Sequence, residues 1–343
     1  MKVTVLSGGT GTPKLIQGLK NILHEEDISV IVNTGEDTWV GDLYISPDVD
    51  TVLYTFSDLI NEETWYGIKN DTFHCHEQLK KLEYDEFLRI GDRDRALKMH
   101  KTHLIKNGYK LSEIIEMERK LLGIKAKIYP MTDDHVETKI LALDKSEDKQ
   151  KSQSDFCSSP IEQNLQFCSS PIEQNLQFCS SPILLKFHDF WIKRRGNVNV
   201  LDVIYENSNY AGAVEAALND IENSDFVLIG PSNPITSIGP ILSIKDIKKA
   251  LMDKTVFVVS PIVGESAISG PAGMLMNAKG YDVDVVGVYE FYKDIVDTMI
   301  IDNIDKNKKD RIGCEVITTN TIMKGLNDKV NLAKDIIKCF DEI

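Results

Sequence analysis

The first hydrophobic run, residues 2–6, is short and breaks at Ser7, Gly8 and Gly9, after which apolar positions resume at helical spacing over 15–23. A second short run covers 28–33. A continuous apolar run, a stretch of period 3.6 and another run describe strand, helix and strand, so the chain opens with a βαβ unit. From about 61 to 123 the chain is charged and rich in helix formers, with Asp71 and Ser112 standing where helices would begin; this reads as a helical insertion. Residues 137–143 and 187–192 have the pattern of two strands able to pair. Apolar runs then return at 226–229, 255–260, 283–288, 299–302 and 315–318, and an amphipathic helix over 328–340 closes the sequence. Buried strands alternating with helices predict an α/β fold built on a doubly wound, mostly parallel sheet.

One segment belongs to neither pattern. Residues 156–166 recur as 167–177 and begin a third time at 178–183, each copy polar and carrying a proline. Such copies bury too little apolar surface to fold as a core and are too few for a solenoid, so 145–185 is expected to be a mobile repeat-containing surface loop without a catalytic role. The domain plan is then a Rossmann-like nucleotide-binding core of 1–60 and 186–343, a helical insertion of 61–130 and the repeat loop.

Composition narrows the function. With 343 residues the chain can bury a sizeable core, and its net charge of -14 argues against a broad electrostatic grip on nucleic acid or an anionic membrane. The first apolar run is too short for a signal peptide or a membrane span, which predicts a cytoplasmic protein. Cysteines at 75, 157, 168, 179, 314 and 339 form no close CxxC pair and read as reduced thiols; a metal site from Cys157, Cys168 and Cys179 is the sharper alternative. His74, His76, His135 and His188 lack metal-ligand spacing and are assigned no role.

Four loops after strands carry the candidate chemistry, since ligands of doubly wound sheets bind beyond the carboxyl ends of the strands. In the first, Ser7, Gly8, Gly9, Thr10, Gly11, Thr12 and Lys14 precede a helix whose first turn accepts Pro13, an arrangement that lets backbone amides approach an anion. It lacks the last glycine and following hydroxyl of a Walker A loop, and Lys14 stands where a dinucleotide fingerprint needs its third glycine. The second loop brings Asn33, then Glu36, Asp37, Asp48 and Asp50, more carboxylates than a ribose contact needs, which suggests a hard cation with oxygen ligands, such as magnesium on a diphosphate. Ser46 and Pro47 signal a helix start, where Asp48 and Asp50 would point about 200° apart and serve different tasks. The third loop, 230–240, offers Ser232 and Asn233 to a base or ribose; the fourth runs over 260–265 and on to 269–273. Trp39, Trp65, Tyr66 and Phe73 are candidates to stack on a flat ring. The patch from Arg89 to Arg95 is a candidate cover for substrate phosphates or for a second ligand.

These loops, with Gly91–Arg95 and the segment Met131–Asp134, resemble the 2-phospho-L-lactate transferase family of deazaflavin coenzyme (F-420) biosynthesis over nearly the whole chain, 145–185 excepted. The resemblance implies an enzyme in which the terminal ribityl hydroxyl of 7,8-didemethyl-8-hydroxy-5-deazariboflavin attacks the phosphorus that carries lactate in lactyl-2-diphospho-5'-guanosine, releasing GMP. It implies that Asp50 and Arg89 contact the deazaflavin, Asp50 orienting the attacking hydroxyl, and that Asp48 with Glu36 or Asp37 holds magnesium. A related regulatory branch resembles a nucleotide or nucleotide-sugar binding protein, and an NAD oxidoreductase is the third candidate, disfavoured by Lys14 and the surplus carboxylates. A homodimer is the default oligomer.

Overall fold

The computed structural model describes residues 1–84, 86–144, 182–268 and 270–342. The opening unit is β1 (Val3–Ser7), α1 (Gly11–Leu19) and β2 (Ile28–Val32), with both strands buried along their whole length. Helix α1 starts four residues before the expected position because the glycine loop itself supplies the first turn. A small hairpin, β3 (Thr38–Val40) and β4 (Leu43–Ile45), leads into α2 (Pro47–Phe56).

The charged stretch after α2 forms helices, with starts other than those expected. It holds α3 (His74–Lys81), α4 (Asp92–Lys106) and α5 (Leu111–Leu121). Asp71 caps α4 instead of α3, accepting the amides of Arg93 (2.9 Å) and Asp94 (3.0 Å), while Asp92 accepts those of His74 and Cys75 (2.9 Å each) and so caps α3. Each helix thus carries, or is preceded by, the carboxylate that satisfies the other's free amides. Ser112 lies inside α5 and bonds to Asp133.

The chain then adds β5 (Lys127–Pro130), β6 (Glu137–Asp144) and β7 (Pro182–Lys186). Residues 182–185 are therefore strand, not loop, and the rest of the expected repeat loop, 145–181, lies outside the described residues. The strand expected at 187–192 is instead a π-helical turn, Asp189–Lys193, which buries Phe190. The partner that β6 requires comes from β7 on one side and β8 (Val198–Glu206) on the other, both antiparallel.

The second half reads α6 (Glu215–Asn223), β9 (Phe226–Ile229), α7 (Gly239–Ser243), α8 (Lys245–Leu251), β10 (Val256–Val259), the hairpin β11 (Ile262–Val263) and β12 (Ser266–Ala267), and α9 (Ala272–Ala278). It ends with α10 (Val285–Tyr292), β13 (Thr298–Asp302), β14 (Glu315–Thr319) and α11 (Leu326–Glu342). The strand expected at 283–288 is helix α10: Asp284 accepts the amides of Val286 and Gly287 (2.9 Å each), and this cap overrides the β preference of the valines.

Seven strands form the central sheet in the order β14-β13-β10-β9-β1-β2-β5, and every pairing in it is parallel. Alternate residues feed two cores. Leu6, Ile229 and Val258 pack on one face with α8 and α10, and Val5, Leu228 and Val259 pack on the other with α1, α2 and α11. Among the described residues no helix is long and apolar enough to cross a membrane.

Candidate functional site

From β1 the chain winds outward through β2 to β5, then returns to lay β9 on the other side of β1. The direction of winding switches between β1 and β9, so the loops leaving these strands part and open a crevice. A cleft of about 330 Å³ lies there. The glycine loop gives it Gly9, Thr10 and Gly11; the loop after β9 gives Ser232, Asn233, Thr236 and Ser237. Glu36, Asp48, Phe187, Trp191, Gly270 and Pro271 complete the lining.

The loops hold one another in place. Ser232 accepts at its Oγ from the amides of Gly8 (3.2 Å) and Thr12 (3.3 Å) and shares a 2.7 Å bond with the Thr12 hydroxyl, so the amides of 9–11 are the ones that edge the cleft. Asn33 donates to Asp48 Oδ2 (2.9 Å) and the Thr236 carbonyl (3.2 Å) while accepting from the Gly35 amide (2.9 Å). Asn233 accepts from Ile235 and Thr236 and caps the short turn that follows it. Of the expected phosphate and nucleotide contacts, Gly9, Thr10, Gly11, Ser232 and Asn233 line the cleft, whereas Ser7, Gly8, Thr12 and Asn33 brace it from behind. Lys14 is also outside the lining: its ammonium sits 5.2 Å from the centre of the Trp65 ring, and burial followed by the charge of Lys329 lowers its pKa.

The cleft's charge is one-sided. Glu36 and Asp48 line it, and among the described residues its lining includes no lysine or arginine. Burial pushes the Asp48 carboxyl up to about 7 against the Asn33 hydrogen bond, and burial together with the neighbouring Asp48 charge pushes Glu36 well above the usual carboxylate range. The carboxylates expected to hold a metal are thus brought together as a pair, not a trio. Asp37 points elsewhere, accepting from Ser46 Oγ (2.7 Å) and the Tyr44 hydroxyl (3.0 Å). The same contact turns the Ser46 hydroxyl away from the α2 amides it was expected to cap. Among the described residues no group of three or more His, Cys, Asp or Glu side chains is gathered as a metal site. A cation bound at Glu36 and Asp48 would need its further oxygens from a ligand, as magnesium does on phosphates.

On the opposite side of the first turn of α2 lies a second cavity of about 70 Å³ that includes Asp50, Tyr54, Tyr66, Arg89 and Lys98 in its wall. Asp48 and Asp50 therefore face different spaces, as their helical spacing requires. Asp50 is buried against two lysines of the insertion: Lys101 donates to Oδ1 (2.6 Å) and Lys98 to Oδ2 (2.9 Å). Burial disfavours the carboxylate, but the ammonium groups of Lys101 and Lys98 outweigh it and hold Asp50 below the usual range. Lys98 also binds Asp94 Oδ1 (2.5 Å), which accepts the Tyr54 hydroxyl (2.6 Å). The sequence reading passed over Lys98 and Lys101, yet 94, 98 and 101 fall on one helical face, and that spacing was the available signal.

The aromatic candidates separate in the same way. Tyr66 lines the second cavity, Phe73 lies under the Arg89 guanidinium (3.9 Å), Trp65 carries Lys14 and Lys329, and Trp39 packs edge-on against Tyr44. The 89–95 patch divides its side chains between helix contacts and the second cavity. Arg95 binds Glu86 (2.7 Å to each oxygen), Asp92 caps α3, and Arg89, Ile90 and Asp94 line the second cavity. In the fourth loop Ser260 turns back on Ile262, and Gly270 and Pro271 reach the first cleft.

Comparison with known proteins bears on this arrangement. Residues 3–323 match the family described as 2-phospho-L-lactate transferase CofD. A protein of Methanocaldococcus jannaschii named 2-phospho-L-lactate transferase is 63% identical over 98% of this chain and 97% of its own. Relatives of the same name from Methanococcus maripaludis (61% identical, 98% of each chain) and Methanopyrus kandleri (44% identical, 100% of this chain and 99% of its own) also align from end to end. A crystal structure of a UPF0052-family protein from Bacillus halodurans superposes with a TM-score of 0.59 at 14% identity, covering 98% of both chains, and shares the fold.

Proposed function

Because the chain belongs to the 2-phospho-L-lactate transferase family, we propose that it moves 2-phospho-L-lactate from lactyl-2-diphospho-5'-guanosine to the terminal ribityl hydroxyl of 7,8-didemethyl-8-hydroxy-5-deazariboflavin. The observation that carries this reading is the first turn of α2, where Asp48 faces the glycine-loop cleft and Asp50 faces the cavity shared with Arg89. A donor in the first space and an acceptor in the second meet across that turn.

A bond forms between the ribityl oxygen and the phosphorus bearing lactate, the bond from that phosphorus to the bridging oxygen breaks, GMP leaves with the bridging oxygen, and the hydroxyl proton passes to a phosphate oxygen of the leaving GMP or to solvent. Such displacements depend on positioning and charge neutralisation. The amides of 9–11 and the hydroxyls of Ser232 and Ser237 hold the diphosphate. Asp48 and Glu36 would hold magnesium, which supplies positive charge against the phosphate oxygens. Burial disfavours the charged form of both carboxyls, and a cation would restore it while neutralising the phosphate oxygens; this fit supports the cation. Asp50 accepts a hydrogen bond from the attacking hydroxyl and fixes its direction. Two ammonium groups already stabilise its negative charge, so it is an orienting group and a poor store for the proton.

The test is to incubate the purified chain with magnesium, the deazaflavin and the guanosine conjugate and to follow both products by mass spectrometry. GMP and a phospholactyl deazaflavin are expected. Binding of both substrates without product would overturn the reading and favour a nucleotide-binding regulator.

A further inference from the structure

The first cleft has an aromatic wall that the transfer chemistry leaves without a task. Phe187 and Trp191 line it opposite polar loops, and both come from the segment that follows β7. Trp191 is a large apolar ring left 37% exposed in a cleft whose lining, Phe187 and Pro271 apart, is glycines, hydroxyls, an amide and carboxylates.

The backbone sets this ring up. Asp189–Lys193 is a π-helical turn, closed by the Arg194 amide on the Asp189 carbonyl (3.0 Å), and π turns displace side chains from the spacing an α-helix would impose. Within it Phe190 is fully buried, and its ring is 6.1 Å from that of Trp191, which reaches the cleft. Behind the indole the chain passes through Gly196, at φ +68, where a β-carbon would stand 3.2 Å from Cζ3 and 3.4 Å from Cε3. The indole is therefore packed against the chain at Gly196, which leaves little room for a side chain there. Indole is the broadest stacking surface a side chain offers, and a purine has a π-face of matching size.

We propose that Trp191 is the stacking platform for the purine base of the donor, which makes the segment after β7 a specificity-determining part of the site. This rests on the guanosine-conjugate reading above, but the experiment does not depend on turnover. GMP is the probe, added to the magnesium-loaded full-length chain while tryptophan fluorescence is recorded, for the native chain and for Trp191→Phe and Trp191→Ala.

GMP should quench the native chain, and the quench should be lost in Trp191→Phe although binding persists by calorimetry. Trp191→Ala should weaken GMP binding by about tenfold to a hundredfold, the scale of one base–aromatic stack, with Trp191→Phe recovering most of it. In turnover, the donor KM should rise in Trp191→Ala while the deazaflavin KM stays within about twofold, a split that general damage to the fold would not produce. An undiminished quench in Trp191→Phe, no quench of the native chain, or equal changes in both KM values would overturn the assignment. Loss of turnover in the native chain with the GMP result intact would sink the transferase reading and leave the stacking platform standing.

Discussion

Gly11 lies against Pro231 so closely that a β-carbon on it would stand 1.8 Å from the Pro231 carbonyl oxygen. That contact joins the loop after β1 to the loop after β9, and both partners in it are backbone, so neither can swing aside. Gly11→Ala must push the two walls of the cleft apart. We expect a destabilisation of about 1–3 kcal/mol, the usual range for overpacking, together with a raised donor KM. Thermal unfolding and donor titration check this; an unchanged donor KM would show that the spacing of these loops does not govern binding.

Asp50 should separate chemistry from stability. Asp50→Ala leaves Lys98 and Lys101 buried without their shared carboxylate, at a cost of about 3–5 kcal/mol, and should lower the denaturation midpoint as well as abolish turnover. Asp50→Asn retains the shape and one acceptor oxygen. It should unfold closer to the native chain and still lose about a hundredfold in kcat, because the attacking hydroxyl is no longer aimed. Full turnover in Asp50→Asn would remove Asp50 from the reaction.

Asp48→Asn tests the cation. The amide keeps an oxygen for Asn33 but removes the charge that a hard cation needs. The magnesium concentration for half-maximal activity should rise by about tenfold or more. If it does not move while kcat falls, Asp48 acts on the donor by another route.

His188 predicts a pH dependence. It is buried beside Phe87 and Phe187, and burial lowers its pKa from 6.5 to about 4, against the pull of Asp189. The neutral ring is the form that fits. Its contribution to stability is present above pH 6.5 and is lost as pH falls through the folded value near 4, because the unfolded chain takes up the proton first. The loss should reach about 3 kcal/mol for this group, and His188→Phe should flatten that part of the stability–pH curve in urea titrations.

The parallel sheet was legible because its strands are short and wholly apolar, as at Phe226–Ile229, and the glycine loop was legible because no other residue permits its approach to Pro231. Two elements were misread for local reasons. The valines of 283–288 have β character, but Asp284 precedes them as a cap, and one carboxylate at the right offset decides the backbone. Residues 187–192 alternate well enough for a strand, but a π turn has no sequence period of its own. At the site, spacing separated Asp48 from Asp50 correctly. It did not reveal that Lys14 is drawn to Trp65 or that Asp37 is held by Ser46 and Tyr44, because those partners meet only through tertiary packing.

The ladder between β6 and β7 pairs Leu143 with Pro182. Both ends of the intervening chain are thereby pinned a hydrogen-bonded strand apart, whatever lies between them. Closing a flexible connection costs only about 0.6 kcal/mol more for each doubling of its length. On that scale, one copy of the repeat more or less would change the cost of closing the connection by well under about 1 kcal/mol. The same arithmetic makes this junction a graft point, where a reporter or affinity module with neighbouring termini can replace 156–177 while the β6–β7 ladder keeps the strand that leads to Phe187 and Trp191 in register.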